Sequence, residues 1–214
     1  MTRIIFVRHG ESVGNLEKRY YGHTDGALTE RGREQARRTA KYLKDEKIDA
    51  AYSSDLIRAY ETGEIIAAEH SLELCVDDRL REMYMGKWEK LLFDDFEKLY
   101  PDEYSIWISD MWKMKCTDGE SVEEMTYRVR DAVWEIAEKH EGQTVLITFH
   151  GTPIRSLCCE WQGIPYERMN EVEWVPNASV SIVNYDVKNH TVKPEIIGYV
   201  GFAEDISTAL PKNV

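Results

Sequence analysis

An α/β fold, with helices layered on a mostly parallel sheet, is predicted by three features of the sequence. Short apolar runs alternate along the chain with longer segments whose apolar residues recur at helical spacing. The run Ile4 to Val7 is continuously apolar, without the alternation of a half-exposed strand, which is the pattern of a strand covered on both faces. Polar clusters rich in arginine, histidine and glycine stand just after the ends of such runs, as Arg8-His9-Gly10 and as His150-Gly151.

In chain order, Ile4 to Val7 reads as the first strand, and the polar stretch Arg8 to Asn15 leaves its end. Thr29 has the hydroxyl of a helix cap, and Ala36, Ala40 and Leu43 give one apolar face to a charged helix running to about Lys44. Ile48 to Tyr52 reads as a second strand. Ser53-Ser54-Asp55 offers N-cap chemistry to a helix with the stripe Leu56, Ala59, Tyr60, Ile66 and Ala67, and Arg58 lies off that stripe. Leu72 to Val76 reads as a third strand, followed by the loop Asp77 to Gly86. The next stretch crowds Trp88, Phe93, Phe96, Tyr100, Tyr104, Trp107 and Trp112 into an acidic segment broken at Pro101, and it reads as a helical lid spanning about 88–120. Ser121 and Glu124 form a capping box, after which Val122, Met125, Val129, Val133, Ile136 and Ala137 mark a long helix that ends at Gly142. Thr144 to Phe149 is a further strand, with a helix expected from Pro153, a residue suited to a first helical turn. Val180 to Tyr185 and Val192 to Tyr199 form a closing hairpin. With no repeat or low-complexity segment, residues 1–214 read as a single domain.

Subtracting 39 acidic from 27 basic residues leaves a formal charge of −12, a field that repels nucleic acid and anionic membranes. Neither is expected as a partner, and an anionic ligand must find a local basic pocket. The first apolar run stops at Arg8, too soon for a signal segment or a span, so a cytoplasmic location is expected. Cys75, Cys116, Cys158 and Cys159 have neither C-x-x-C nor metal-ligand spacing and read as free thiols.

The chemistry concentrates at three strand ends: Arg8-His9-Gly10, Ser53 to Arg58, and His150-Gly151. In open α/β sheets that edge is where ligands bind. Two arginines and two histidines converging there suit a phosphate dianion, because guanidinium forks match its oxygens and backbone N–H groups near Gly10 and Gly151 add donors. No Walker A loop and no G-x-G-x-x-G occurs.

These blocks, taken in order, carry a resemblance. Arg8-His9-Gly10-Glu11-Ser12 with Asn15, Leu28-Thr29-Glu30-Arg31-Gly32, Ser54-Asp55-Leu56-Ile57-Arg58-Ala59 with Thr62, Leu80-Arg81-Glu82 with Gly86 and Trp88, Gly119-Glu120-Ser121, and His150-Gly151 resemble the histidine phosphatase superfamily, also called phosphoglycerate mutase-like. The resemblance implies a three-layer sandwich and a metal-independent phosphomonoester hydrolase without a cofactor. It implies His9 as the nucleophile that becomes phosphohistidine, with Arg8, Arg58 and His150 as the phosphate clamp and Asn15 as an uncharged donor. Glu82 corresponds to the proton donor, and Gly151 stands as a further substrate contact; His23, after Gly22 in a loop, reads as a substrate contact or as an exposed turn residue. The expected partner is a small-molecule phosphomonoester, with self-association into a homodimer left open.

Three positions depart from the pattern. Phe149 stands where a small or hydroxyl residue is common, Thr152-Pro153 replaces a second glycine, and Lys90 occupies a position often held by glycine. A cofactor-dependent phosphoglycerate mutase is the alternative activity. A phosphate-binding module that has lost activity is a second alternative, and a metal hydrolase on His9, His23 and His150 is a third, for which no clustered ligand set stands in the sequence. The tryptophans of the lid are expected mostly to pack rather than hold substrate.

Overall fold

The computed structural model describes residues 1–209. Its strands are β1 (Thr2–Arg8), β2 (Ala50–Ser53), β3 (Leu74–Val76), β4 (Thr144–Phe149), β5 (Val180–Asp186) and β6 (Thr191–Tyr199), joined in one sheet of order β3-β2-β4-β1-β5-β6. The first four run parallel, and only β5 runs against its neighbours. The fold is therefore mixed α/β with a mostly parallel sheet, as the alternating pattern predicts.

The continuous run Ile4–Val7 is explained by helices on both faces. Ile5 and Val7 point into one core with Ala40, Leu43, Ile66 and Ala67, contributed by α2 (Glu30–Leu43) and α3 (Ile57–Glu69). Ile4 and Phe6 point into the other, with Met125, Val129 and Val133 of α6 (Val122–Lys139) and Ile154 and Leu157 of α7 (Gly151–Gln162). All four residues of the run are fully buried, and a buried side chain of this size contributes about 1.5–3 kcal/mol. A strand of alternating polarity could not hold the central position.

The caps fall largely where expected. The Thr29 hydroxyl accepts from the Gly32 N–H at 3.0 Å, and Ser121 with Glu124 forms the capping box of α6. Helix α3 departs from expectation, since Leu56 stands at its N-cap without a side-chain bond and the Ser54 hydroxyl instead faces His150. Helix α7 begins two residues earlier than Pro153, leaving that proline in the first turn, where its missing N–H is tolerated. A short helix, α1 (Val13–Glu17), has no counterpart in the sequence reading; Ser12 and Asn15 box its start.

Two further helices, α4 (Phe93–Leu99) and α5 (Pro101–Ser109), meet at Pro101 and pack an aromatic cluster, in which Tyr20, Trp88, Phe96 and Trp107 are all buried. The Trp88 indole N–H donates to Glu103 at 2.6 Å. Lys90 has φ +67, a left-handed conformation that favours glycine, which gives the departure at this position a backbone meaning.

Candidate active site

Parallel pairing sets Arg8 beside Phe149 and Ser53 beside Thr148, so the residues that follow β1, β2 and β4 emerge together at the carboxyl edge of the sheet. A cleft with an empty volume of about 540 Å³, its open mouth included, lies there. Arg8, His9, Asn15, Arg58, Glu82 and Gly151 all stand on its wall. His150 is fully buried directly beside them, its ring centre 5.3 Å from that of His9.

Glycines allow the loop after β1 to descend onto α2. A Cβ on Gly10 would lie 2.4 Å from the Gly32 carbonyl oxygen, and one on Gly32 would lie 2.0 Å from that of Glu11. Any side chain at either point would push the loop off the helix. Gly151 serves the arginine instead, since a Cβ there would stand 3.2 Å from the Arg8 Cζ.

His9 Nδ1 lies 2.7 Å from the Gly10 carbonyl oxygen. A carbonyl only accepts, so Nδ1 carries the proton and Nε2 keeps its lone pair. Burial, then the neighbouring Arg58 and Arg8, hold the His9 pKa well below the ordinary imidazole value. The ring is therefore neutral and its free nitrogen is nucleophilic. Burial first, then Arg58 and His9, depress His150 in the same way. The Leu56 N–H donates to Ser54 Oγ at 3.3 Å and Ser54 Oγ lies 2.9 Å from His150 Nε2; with the hydroxyl donating to Nε2, the proton of His150 stands on Nδ1.

Arg58 is 1% exposed despite its place off the apolar stripe. It donates to the carbonyl oxygens of Thr24 at 3.0 Å, Tyr21 at 2.7 Å and Gly22 at 2.8 Å, which aim the guanidinium into the cleft wall. Arg8 donates to the Val175 carbonyl at 2.6 Å. Burial lowers its pKa to about 10, against the raising effect of Glu82, so it stays charged at neutral pH. Arg8 Nε and His150 Nδ1 are both buried without a partner among the described residues. A buried polar group in this position is one that an ordered water or a ligand can complete.

Glu82 is held by two backbone N–H groups, Met83 at 2.8 Å to one oxygen and Thr152 at 3.2 Å to the other. Its own carbonyl accepts from Arg128 at 3.2 Å, while Arg128 also donates to Glu120 at 2.7 Å, which accounts for the Gly119-Glu120-Ser121 block. His23 stands beside the cleft rather than on its wall, its Nε2 2.9 Å from the carbonyl of Glu82, so the ring meets the loop that carries Glu82. Asn15 Oδ1 accepts from the Ser12 N–H at 3.1 Å and from Asn177 Nδ2 at 3.2 Å, which turns its own Nδ2 donors away from them.

Asn177 was not legible in the sequence. It is 1% exposed and donates to the carbonyl of His9 at 3.0 Å, tying the loop after β1 to the chain before β5. No pattern marks it, because it lies in irregular chain 168 residues away from its partner. Trp174 was missed for the same reason; with Tyr20, Tyr21, Met85, Phe93 and Trp107 it lines the outer cleft. The Trp107 and Trp174 rings stack at 6.5 Å, and the Arg155 guanidinium sits 4.5 Å over Trp174. Of the lid tryptophans Trp107 therefore lines the cleft, whereas Trp88 is wholly buried in packing. Among the described residues no group of three or more His, Cys, Asp or Glu side chains is placed to hold a metal ion, and no helix is long and apolar enough to cross a membrane.

The depressed histidines make stability pH-dependent with a definite sign. Unfolded, each imidazole has a pKa near 6.5, whereas folded His9 and His150 stay neutral, so below about pH 6.5 the unfolded chain binds more protons and stability falls with pH. Two such groups give a slope of about 2–3 kcal/mol per pH unit until their folded pKa values are reached. Urea melts between pH 7 and 5 should show this slope in the native protein and lose most of it in a His9→Asn/His150→Asn variant, the depression of His23 by burial leaving a remnant of the same sign. An unchanged slope in the variant would place the acid sensitivity elsewhere.

The comparisons with known proteins agree with this geometry. The model of the histidine phosphatase superfamily (branch 1) matches residues 4–194. Phosphoserine phosphatase 1 of Hydrogenobacter thermophilus is 32% identical over 195 residues, covering 90% of each chain. Phosphoglycerate mutase-like protein 4 of Arabidopsis thaliana is 38% identical over 188 residues, covering 85% of this chain and 78% of its own. The solved structure of Bacillus stearothermophilus YhfR superposes with a TM-score of 0.90 at 31% identity, covering 95% of this chain and all of that one.

Proposed function

The chain belongs to branch 1 of the histidine phosphatase superfamily, and we propose that it hydrolyses small-molecule phosphomonoesters through a phosphohistidine at His9. The observation that carries this reading is the His9 ring, tethered through Nδ1 at 2.7 Å and held neutral by burial beside two buried arginines.

In the first step the His9 Nε2 lone pair forms a bond to phosphorus as the ester P–O bond breaks. The Glu82 carboxylic acid passes its proton to the departing alkoxide. In the second step water attacks phosphorus, the carboxylate of Glu82 takes the water's proton, and the P–N bond breaks to release phosphate. Arg8, Arg58 and His150 hold the equatorial oxygens, where charge is spread in the transition state. The unpartnered Arg8 Nε and His150 Nδ1 are the donors such an anion would satisfy. Asn15 adds its amide, and the backbone at Gly151 adds the positive end of α7.

Hydrolysis rather than mutase transfer is favoured by the outer cleft. A mutase grips a small acid with a second charge, whereas the wall beyond the clamp is mainly Tyr20, Tyr21, Phe93, Trp107 and Trp174. The further cation there, Arg19, is already engaged with Glu17 at 3.4 Å and the Lys90 carbonyl at 2.7 Å. The segment 88–120 acts as a lid that supplies part of this apolar wall within one domain, and esters with bulky or flat leaving groups suit it. With the clamp supplying positive charge, activity persists in EDTA.

A panel of phosphomonoesters assayed for phosphate release, with and without EDTA, tests the reading. Metal-independent release is expected, favouring ring-bearing esters. Rapid interconversion of 3- and 2-phosphoglycerate with 2,3-bisphosphoglycerate and little phosphate release would select the mutase, and inertness to every ester would select a binding module.

A further inference from the structure

The nucleophile loop is held on its far side as well, by residues that never face the cleft. Glu11, two positions beyond His9, is 3% exposed. One of its carboxylate oxygens accepts from the Thr29 hydroxyl at 2.7 Å, and the other from Arg31 at 3.2 Å and the Thr208 hydroxyl at 3.0 Å. Gln35, wholly buried on α2, accepts from the Glu11 N–H at 2.8 Å and donates to the Ile206 carbonyl at 2.8 Å and to Thr208 Oγ1 at 3.1 Å. The Thr208 hydroxyl thus accepts from Gln35 while donating to Glu11, two roles that only a hydroxyl fills here.

The chain leading to Thr208 is itself anchored along α2. Phe202 stacks on Tyr42 with ring centres 4.7 Å apart, and Asp205 pairs with Arg38 at 2.6 Å. The segment 201–208 therefore reaches the catalytic loop as a fixed strap. The loop backbone rests on Gly32 and is tied by Asn177, Thr62 and Gln35, and the Glu11 side chain adds the anchor on the side of the strap.

We propose that Thr208 is a positioning residue for the reaction at His9, acting through Glu11. The proposal rests on His9 being the nucleophile. Removing the hydroxyl takes one donor from a buried carboxylate and one acceptor from the Gln35 amide, and the loop relaxes by a fraction of an ångström. In-line attack by His9 Nε2 tolerates little of that, while the phosphate clamp, built on Arg8, Arg58 and His150, is left in place. Arg31 and Thr29 remain on Glu11, so the loss is partial.

The test is steady-state kinetics of Thr208→Val and Thr208→Ser with p-nitrophenyl phosphate, alone and in a Glu11→Gln background, with a thermal melt of each protein. The valine variant should lose about tenfold in kcat, with KM within about twofold. Serine should restore it. In the Glu11→Gln background the valine change should add less than about twofold, since coupled groups do not act additively. A valine variant with native kcat, or one whose loss persists in full in the Glu11→Gln background, overturns the proposal. An equal loss in the serine variant overturns it too, because serine keeps both bonds. Wild-type protein with no turnover at all would instead remove the reading of His9 on which the proposal stands.

Discussion

Replacing His9 with asparagine should lower kcat for p-nitrophenyl phosphate by about 10⁴-fold or more, the scale on which loss of a covalent nucleophile is felt. Asparagine suits the test because its amide can still donate toward the Gly10 carbonyl, which the native ring approaches at 2.7 Å. The buried neighbours Arg8, Arg58 and His150 keep their own bonds to Val175, Thr24, Tyr21, Gly22 and Ser54. The variant should therefore fold and still bind inorganic phosphate, separating loss of chemistry from loss of the site. A variant within tenfold of native turnover would mean that water attacks the bound ester directly and that His9 only assists binding.

A second large effect should depend on the leaving group. With Glu82→Gln, kcat/KM for an alkyl phosphate should fall by about 10²–10⁴-fold, the usual worth of a positioned general acid. For p-nitrophenyl phosphate, whose phenolate departs without help, the loss in phosphoenzyme formation should stay below about tenfold. Glutamine is not a silent replacement. Both oxygens of Glu82 accept from backbone N–H groups, so the new amide nitrogen must face one of them, and the longer contact to Thr152 at 3.2 Å is the one to give way. That disturbance affects both esters alike, so the ratio between them isolates the proton. Equal losses would assign Glu82 to architecture.

Structure that is encoded locally is legible in the sequence, and structure assembled at a distance is not. Strands came through because burial on both faces demands unbroken runs such as Ile4 to Val7, and the cap at Thr29 and the box at Ser121 are local chemistry. The candidate residues at the cleft were legible because each belongs to a recognisable block, His9 and His150 directly at strand ends, Arg58 in the first turn of α3 and Glu82 in the loop beyond β3. Arg58 reads as a surface residue on helix position alone, and only the carbonyls of Tyr21, Gly22 and Thr24 explain its burial. Ser54 reads as a cap, yet its hydroxyl serves His150, 96 residues away. His23 reads as either a ligand contact or an exposed turn residue, and the sequence does not reveal that its ring meets the Glu82 carbonyl. Asn177, Trp174 and Thr208 lie in irregular chain, where no periodicity announces burial and the partner is set by the tertiary fold alone.

The central claim is a covalent bond between His9 and phosphorus, and quenched-flow trapping tests it most directly. Native protein mixed with an aryl phosphate and stopped within the first turnovers should yield a phosphopeptide containing His9. The phosphate should be labile in acid and stable in base, as a phosphoramidate is. A phosphate found on another residue, or burst kinetics without any adduct at His9, would contradict the account.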